Sequence, residues 1–389
     1  MVEEKGNMAK VKRNSNVESL RILAMLMITY CHFMYWPYVT SNSFPVRLVS
    51  NLLRDFGGVG DCIFFGISAW YMCMETPTVK RSFKRVCQLE KQLWFYGIGS
   101  LFVLVTLQYV VKSGVFFSSF GELAKDGVAS FIPVTSNLWW YTTSYVLFVV
   151  MHPMINYGLQ KMGKKWHGIL ALTVFLLWGW IPFYNVNMGI NILLFLYQYT
   201  ILSYIRWYMG EYVESAAVRN KLLLIGLGVG VISDVVIAAV SSFIHWEHNY
   251  TYLGQPWSFP SLFIGLGLLM WAEQSAPRHN AFINRIAGAT LAPFVITMYP
   301  ATAPALKKMI AAAVSLAEDN PAVGIVINVA VVLAVFIICI VIGLLQKVLF
   351  GKTVNRKPMK YFDILYVKLQ RLIKTCTVKA GRFLLLSDK

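Results

Sequence analysis

Charge is what this 389-residue sequence has least of: Asp, Glu, Lys and Arg together make up 14% of it, where a soluble domain carries roughly 25%. With 57% hydrophobic residues and a mean hydropathy of +0.57, that scarcity excludes an ordinary water-soluble fold, whose surface could not hide so much apolar area. Acidic residues are the scarcest, 18 Asp+Glu against 35 Lys+Arg, which leaves a net charge of +17. A nucleic-acid-binding protein would interleave basic and aromatic residues on one soluble face. Here the basic residues sit in short clusters between apolar runs, where loops facing anionic lipid carry them. The six cysteines (Cys31, Cys62, Cys73, Cys87, Cys339, Cys376) lie mostly inside apolar runs, no two of them close together. That spacing excludes a disulfide framework and a zinc pattern. A cleavable leader is missing as well: polar residues 1–16 lead into an apolar run too long for one, with no small-residue cleavage site behind it. Nor does a long polar insert interrupt the apolar runs from residue 17 to residue 346.

What is present is a series of apolar runs. A membrane-crossing helix needs ~20 mostly apolar residues, and ten stretches qualify: 17–39, 56–74, 92–112, 136–157, 168–184, 190–213, 222–244, 257–274, 286–306 and 321–346. The expectation is an all-α integral membrane protein, a bundle of about ten transmembrane helices. It divides into a cytoplasmic segment 1–16, a transmembrane domain 17–346 and a basic tail 347–389. Pro293, Pro300 and Pro304 should kink the ninth run or end it early. With the N-terminus in the cytoplasm, the 35 Lys and Arg split 29 inside to 6 outside, a strong bias that places both termini in the cytoplasm of a multi-pass cell-membrane protein. In the tail, Phe362, Leu365, Leu369, Leu372, Ile373 and Cys376 recur at three- and four-residue spacing. An amphipathic helix over 361–386 is expected to lie on the inner leaflet with lipid as its only partner.

The first run holds the most informative pair, Arg21 and His32 in ESLRILAMLMITYCHF. Eleven residues at ~100° each return to within ~20°, so both side chains lie on one helix face, ~16 Å apart along the axis. An ionisable residue that deep in a span usually faces a bundle interior or a wet cavity. The competing reading has Arg21 pairing with Glu18 and His32 merely bridging helices. Residues 57–72, GGVGDCIFFGISAWYM, supply small residues for close helix approach; Asp61 within them is either a functional carboxylate or, the preferred reading, the end of a polar entry turn to the second span. The run KRSFKR, residues 80–85, forms a basic loop suited to phosphates through Arg81, Lys84 and Arg85, or simply to setting topology. Asp234, and Arg206 with Glu211, could pair inside the bundle. His245, Glu247 and His248 in HWEH lack a visible third metal ligand, so no metal site is expected. Asn249-Tyr-Thr fits a glycosylation sequon, a short match that is frequent by chance.

At these residues the chain resembles the membrane-bound acyltransferase-3 family. Arg21, ten residues and His32 look like that family's first helix; GGVGDCIFFGISAWYM, KRVCQLEKQLWFYGI and NLWWYTTSYVLFVVMHPMIN are similar to its next three motifs, in order across residues 17–157. Ser68-Ala69-Trp70 stands where the family has Ser-Gly-Tyr, Arg81-x-x-Lys84 where two arginines are typical, and TLAPFVITMYP lacks a histidine-bearing pattern common there. The resemblance implies transfer of an acyl group, commonly acetyl, from cytoplasmic acyl-CoA to a hydroxyl of an extracytoplasmic or lipid-linked cell-surface glycan. It implies that His32 and Arg21 are catalytic, that Arg81, Lys84 and Arg85 bind acyl-CoA, and that no cofactor is held beyond that donor substrate. A polytopic transporter or flippase for a polar metabolite or lipid-linked saccharide is the other function class that such a bundle suits.

Overall fold

In the computed structural model several helices begin where a side chain can replace the missing turn. Asn14 accepts from the Asn16 amide to open α1 (Ser15–Phe33), and Met34 and Tyr35, both extended, end it before the single turn α2 (Trp36–Val39). α3 (Phe44–Met72) starts on Pro45, and α4 (Val79–Val105) on the Thr78 hydroxyl, running on to Val111 as a wider π turn. Next come α5 (Phe120–Phe131), α6 (Trp140–Val174), α7 (Ile192–Tyr208), α8 (Gly210–Glu214) and α9 (Ala216–Phe243). After them lie α10 (Phe259–Gln274), α11 (Ala281–Ala287), α12 (Leu291–Thr297), α13 (Thr302–Ser315) and α14 (Pro321–Lys352). The structure describes residues 13–180, 192–245, 254–317, 319–353 and eleven positions between 362 and 376, and among these the regular structure is entirely helical.

Among the described residues three helical stretches are long and apolar enough to cross a membrane: Val79–Val111, Ala216–Phe243 and Pro321–Lys352. A fourth is present if Ala281–Thr297 and Thr302–Ser315, bent by 88°, count as one broken span. The bend falls at Tyr299-Pro300-Ala301, within the proline-rich run where a kink was expected.

Several boundaries differ from the expected ones. The second helix starts at Phe44, twelve residues before position 56, so Asp61 lies well inside α3 and not in a turn at its start. Arg47 and Arg54, two of the six basic residues counted outside and so expected between the first two spans, also belong to α3, and Arg47 is fully buried. The basic run 80–85 occupies the first turns of α4 and is no loop. Runs 136–157 and 168–184 join in α6, interrupted at Gly163 (φ 71°, ψ 173°), a backbone conformation that favours glycine. The chain turns back there. His152 and His167 both touch the Tyr199–Ser203 stretch of α7, which fifteen residues of straight helix, ~22 Å, could not allow.

The tail has a protein partner. Its described residues are helical; Phe362 is buried and stacks with Tyr366, whose ring lies 6.4 Å from Phe83 and under the Lys80 ammonium. An expected helix touching only lipid is thus docked on the start of α4, because the aromatic face finds an aromatic and a cation there. Tail positions Leu365, Leu369, Ile373 and 377–389, Lys5, Lys10 and Lys12, Glu247, His248 and the Asn249 sequon lie outside the described residues.

α1 and α3 pack side by side in opposite directions: Cys31 meets Gly57, while Ala24 and Ile28 meet Gly60. Around them α6, α7, α10, α12 and α14 close the core, with Ala24, Ile67, Trp70 and Phe148 fully buried. α14 is joined to α1 by Asn328, whose amide donates to the Phe33 carbonyl at 3.0 Å and accepts from the Tyr35 amide at 3.0 Å.

Candidate functional site

A Cβ on Gly60 would stand 2.7 Å from the Ala24 carbonyl, so only glycine lets the backbones of α1 and α3 come this close. The approach holds the first turns of α1 against the last turn of α3 and opens a polar cavity of about 590 Å³ between them. Arg13, Glu18, Arg21, Glu75, Arg85 and Tyr145 are among its walls. A smaller chamber of about 250 Å³ shares Arg13, Arg21, Ser68 and Tyr145 with it and runs on to Phe64, Tyr141 and Leu291. The two chambers have these four residues as common walls.

Three guanidinium groups face two carboxylates in this space. Glu18 pairs with Arg21 (Nε to Oε2, 3.4 Å) and Arg13 (3.8 Å); Glu75 takes Arg85 Nη2 on both oxygens at 2.7 Å. Arg81 Nη1 reaches Glu75 Oε2 at 3.3 Å and the Thr76 carbonyl at 3.4 Å. The pairing of Arg21 with Glu18, the alternative considered for this arginine, is present, and it leaves Arg21 on the cavity wall all the same. Each guanidinium carries five N–H donors in a fixed fork, so an anion can be received while the carboxylate pairs stay.

The proposed residues therefore divide. Arg21 and Arg85 share the cavity, Arg81 stands one carboxylate behind it, and Lys84 is exposed and lines neither chamber. His32 lies on neither wall. Its ring faces Phe294 at 6.2 Å, Phe294 faces Tyr141 at 5.9 Å, and Tyr141 closes the inner end of the smaller chamber. Arg21 and His32 nevertheless both meet α12, Arg21 across the smaller chamber from Leu291 and His32 at the Phe294 ring. The His32 Nδ1 is buried without a hydrogen-bond partner, a cost that a structural histidine normally avoids.

Other residues settle differently from expectation. Arg206 makes no described ion pair with Glu211, which is exposed; its guanidinium lies 4.6 Å above the Trp70 ring. Arg206 lies near the end of α7 and Glu211 in α8, beyond the break at Met209, so the two are not on one helix. Asp234, buried in α9, hydrogen-bonds Asp55 of α3, beside the Arg54–Asp55 pair. His245, the described part of HWEH, turns its Nδ1 to the Ser242 carbonyl at 3.0 Å.

Sequence reasoning passed over a buried chain behind the cavity. His152 Nε2 meets the Tyr199 hydroxyl at 2.9 Å, and that hydroxyl donates to Asn156 Oδ1 at 2.7 Å. The signal was available in MHPMIN, where a histidine and an asparagine one turn apart interrupt an apolar run. Comparison of the chain with protein-family models, with curated proteins and with solved structures gives no match.

Proposed function

We propose that the chain is a membrane O-acyltransferase, moving an acetyl or other acyl group from cytoplasmic acyl-CoA to a hydroxyl of an extracytoplasmic or lipid-linked cell-surface glycan. The observation that carries this reading is the arginine-walled cavity at the Arg21 end of α1, the same helix whose other end holds an imidazole with a buried Nδ1. Phosphates suit forked guanidinium donors, and a donor anchored by Arg21 and Arg85 would send its thioester arm into the smaller chamber. We read the apolar helices as a bundle of about ten spans, with the Arg21 end cytoplasmic, on the strength of the 29-to-6 charge bias. His32 then stands about halfway into the bilayer, between a donor on one side and a glycan on the other.

In the reaction His32 takes the proton of the acceptor hydroxyl, the oxygen attacks the thioester carbonyl, and the CoA sulfur leaves with the electron pair and is protonated by the imidazolium. The rings of Tyr141 and Phe294 stand between chamber and imidazole, so donor or acceptor must turn at least one of them aside. The test is transfer of radiolabelled acetyl from acetyl-CoA to cell-envelope glycan by the purified protein. His32→Ala should slow it by about 10²–10⁴-fold with no change in melting temperature. His32→Gln, which cannot relay the proton, should be nearly as slow. An active, well-folded His32→Gln protein would remove His32 from the mechanism.

One observation favours a carrier instead: the 88° break between α12 and α13 lies just beyond Phe294, beside His32, and transporters often build midplane sites from broken helices. Solute flux in proteoliposomes, with no acetyl transfer by the same wild-type preparation, would decide for it.

A further inference from the structure

On the other side of Glu75 and Thr76 lies a second opening, of about 480 Å³, which the transfer reaction as described does not use. Thr76, Pro77, Pro153, Asn156, Tyr157 and Gln160 line it. Asn156 is 1% exposed, and while its Oδ1 accepts from Tyr199, its Nδ2 is buried with no hydrogen-bond partner. A buried donor left unmatched is costly and marks a place where an acceptor belongs. Pro153, Asn156, Tyr157 and Gln160 fall on one face of α6 at three- and four-residue spacing. That face offers two amides beside flat apolar surfaces. The Tyr157 ring is 64% exposed, and the Lys161 ammonium stands 5.5 Å from its centroid.

Amide side chains with an open donor and a flat wall are the set that pairs with adenine, where Asn or Gln donates to a ring nitrogen and accepts from the exocyclic amine, and where any base can stack on an aromatic face. The opening is also placed for it. Arg81 holds both the Glu75 carboxylate, on the arginine cavity, and the Thr76 carbonyl, on the second opening. From one side of this ridge to the other the order is amides, Arg81, Arg85 and Arg21. In acyl-CoA the order is adenine, phosphates and thioester arm. We propose that the opening lined by Asn156 and Gln160 receives the adenine-nucleotide end of the donor, a proposal that rests on the acyl-CoA reading of the arginine cavity.

The test is calorimetric titration of the full-length purified protein with acetyl-CoA, with adenosine 3′,5′-bisphosphate, and with acetyl-phosphopantetheine, which lacks the nucleotide. Asn156→Asp keeps the oxygen that accepts from Tyr199 and puts a carboxyl oxygen in place of the open donor. Gln160→Ala, on an exposed position, perturbs no packing and carries the test alone should Asn156→Asp fail to fold. Each should weaken acetyl-CoA and the bisphosphate by about tenfold and acetyl-phosphopantetheine by less than about twofold. Equal losses for all three ligands, or undiminished acetyl-CoA binding in folded variants, would overturn the nucleotide site alone. A wild-type protein that binds none of the three overturns the donor reading and this site with it.

Discussion

α1 and α14 lie side by side, joined through Asn328, and could hardly differ more. Nine of the nineteen residues of α1 are buried, among them Glu18, while Arg21 and His32 face the interior. α14 has eight buried residues in thirty-two, carries no charged residue before Lys347, and passes every test of a membrane-crossing helix by composition. α9 repeats the pattern, with four buried residues in twenty-eight. α9 and α14, both apolar enough to cross a membrane, are thus little enclosed, whereas α1, which carries Arg21 and His32, has about half of its residues buried. The physical reason is the cost of ionisable groups in an apolar medium, which only neighbouring helices or a wet cavity can relieve. Apolarity alone does not set a helix's place, since α10 is as apolar as α9 and has eleven of its sixteen residues buried.

That contrast can be broken by experiment. Arg21→Gln should weaken acetyl-CoA binding by roughly 10–100-fold, the worth of a charge-assisted contact of about 1.5–3 kcal/mol, while Lys352→Gln at the end of α14 leaves it unchanged; equilibrium binding checks both. Gly60→Ala comes next. Its new methyl meets the Ala24 carbonyl, which cannot move without shifting α1, so a stability loss of about 1–3 kcal/mol and a lower melting temperature are expected. Asn328→Ala removes the link between the helices and strands the Phe33 carbonyl, for a loss of about 1–2 kcal/mol by the same measurement. The smallest effect belongs to Ile338→Ala on α14, where the side chain is 59% exposed. In detergent its melting temperature should stay within the range of about 0.5 kcal/mol. A larger loss there than at Gly60 would reverse the ranking of the two helices.

Much of the helical order was legible, because long apolar runs leave few alternatives, and Pro293, Pro300 and Pro304 announced the break that α12 and α13 display. The shared face of Arg21 and His32 followed from helix geometry alone. Features that depend on partners distant in sequence were not legible. Position 61 looked like the edge of a span because nothing local shows that Phe44 begins the helix. Arg206 was paired with Glu211 because they are near in sequence, whereas its partner, Trp70, is 136 positions away. The same limit hid the aromatic pair between His32 and the cavity, since Tyr141 and Phe294 come from opposite halves of the chain.

The bond from Asn328 to the Phe33 carbonyl joins residues 295 positions apart, and that separation has a meaning in time. At ~5–20 residues per second a ribosome needs about 15–60 s to travel between them. α1 is without α12 until residue 297 has been made, and for the whole interval its Phe33 carbonyl lacks Asn328. The helix that carries Arg21 and His32 is made first and bonded to α14 last. A nascent chain stopped before residue 328 is the species in which quality-control factors would find α1 open, and pulse-labelled protease sensitivity of α1 should fall only once α14 has been synthesised.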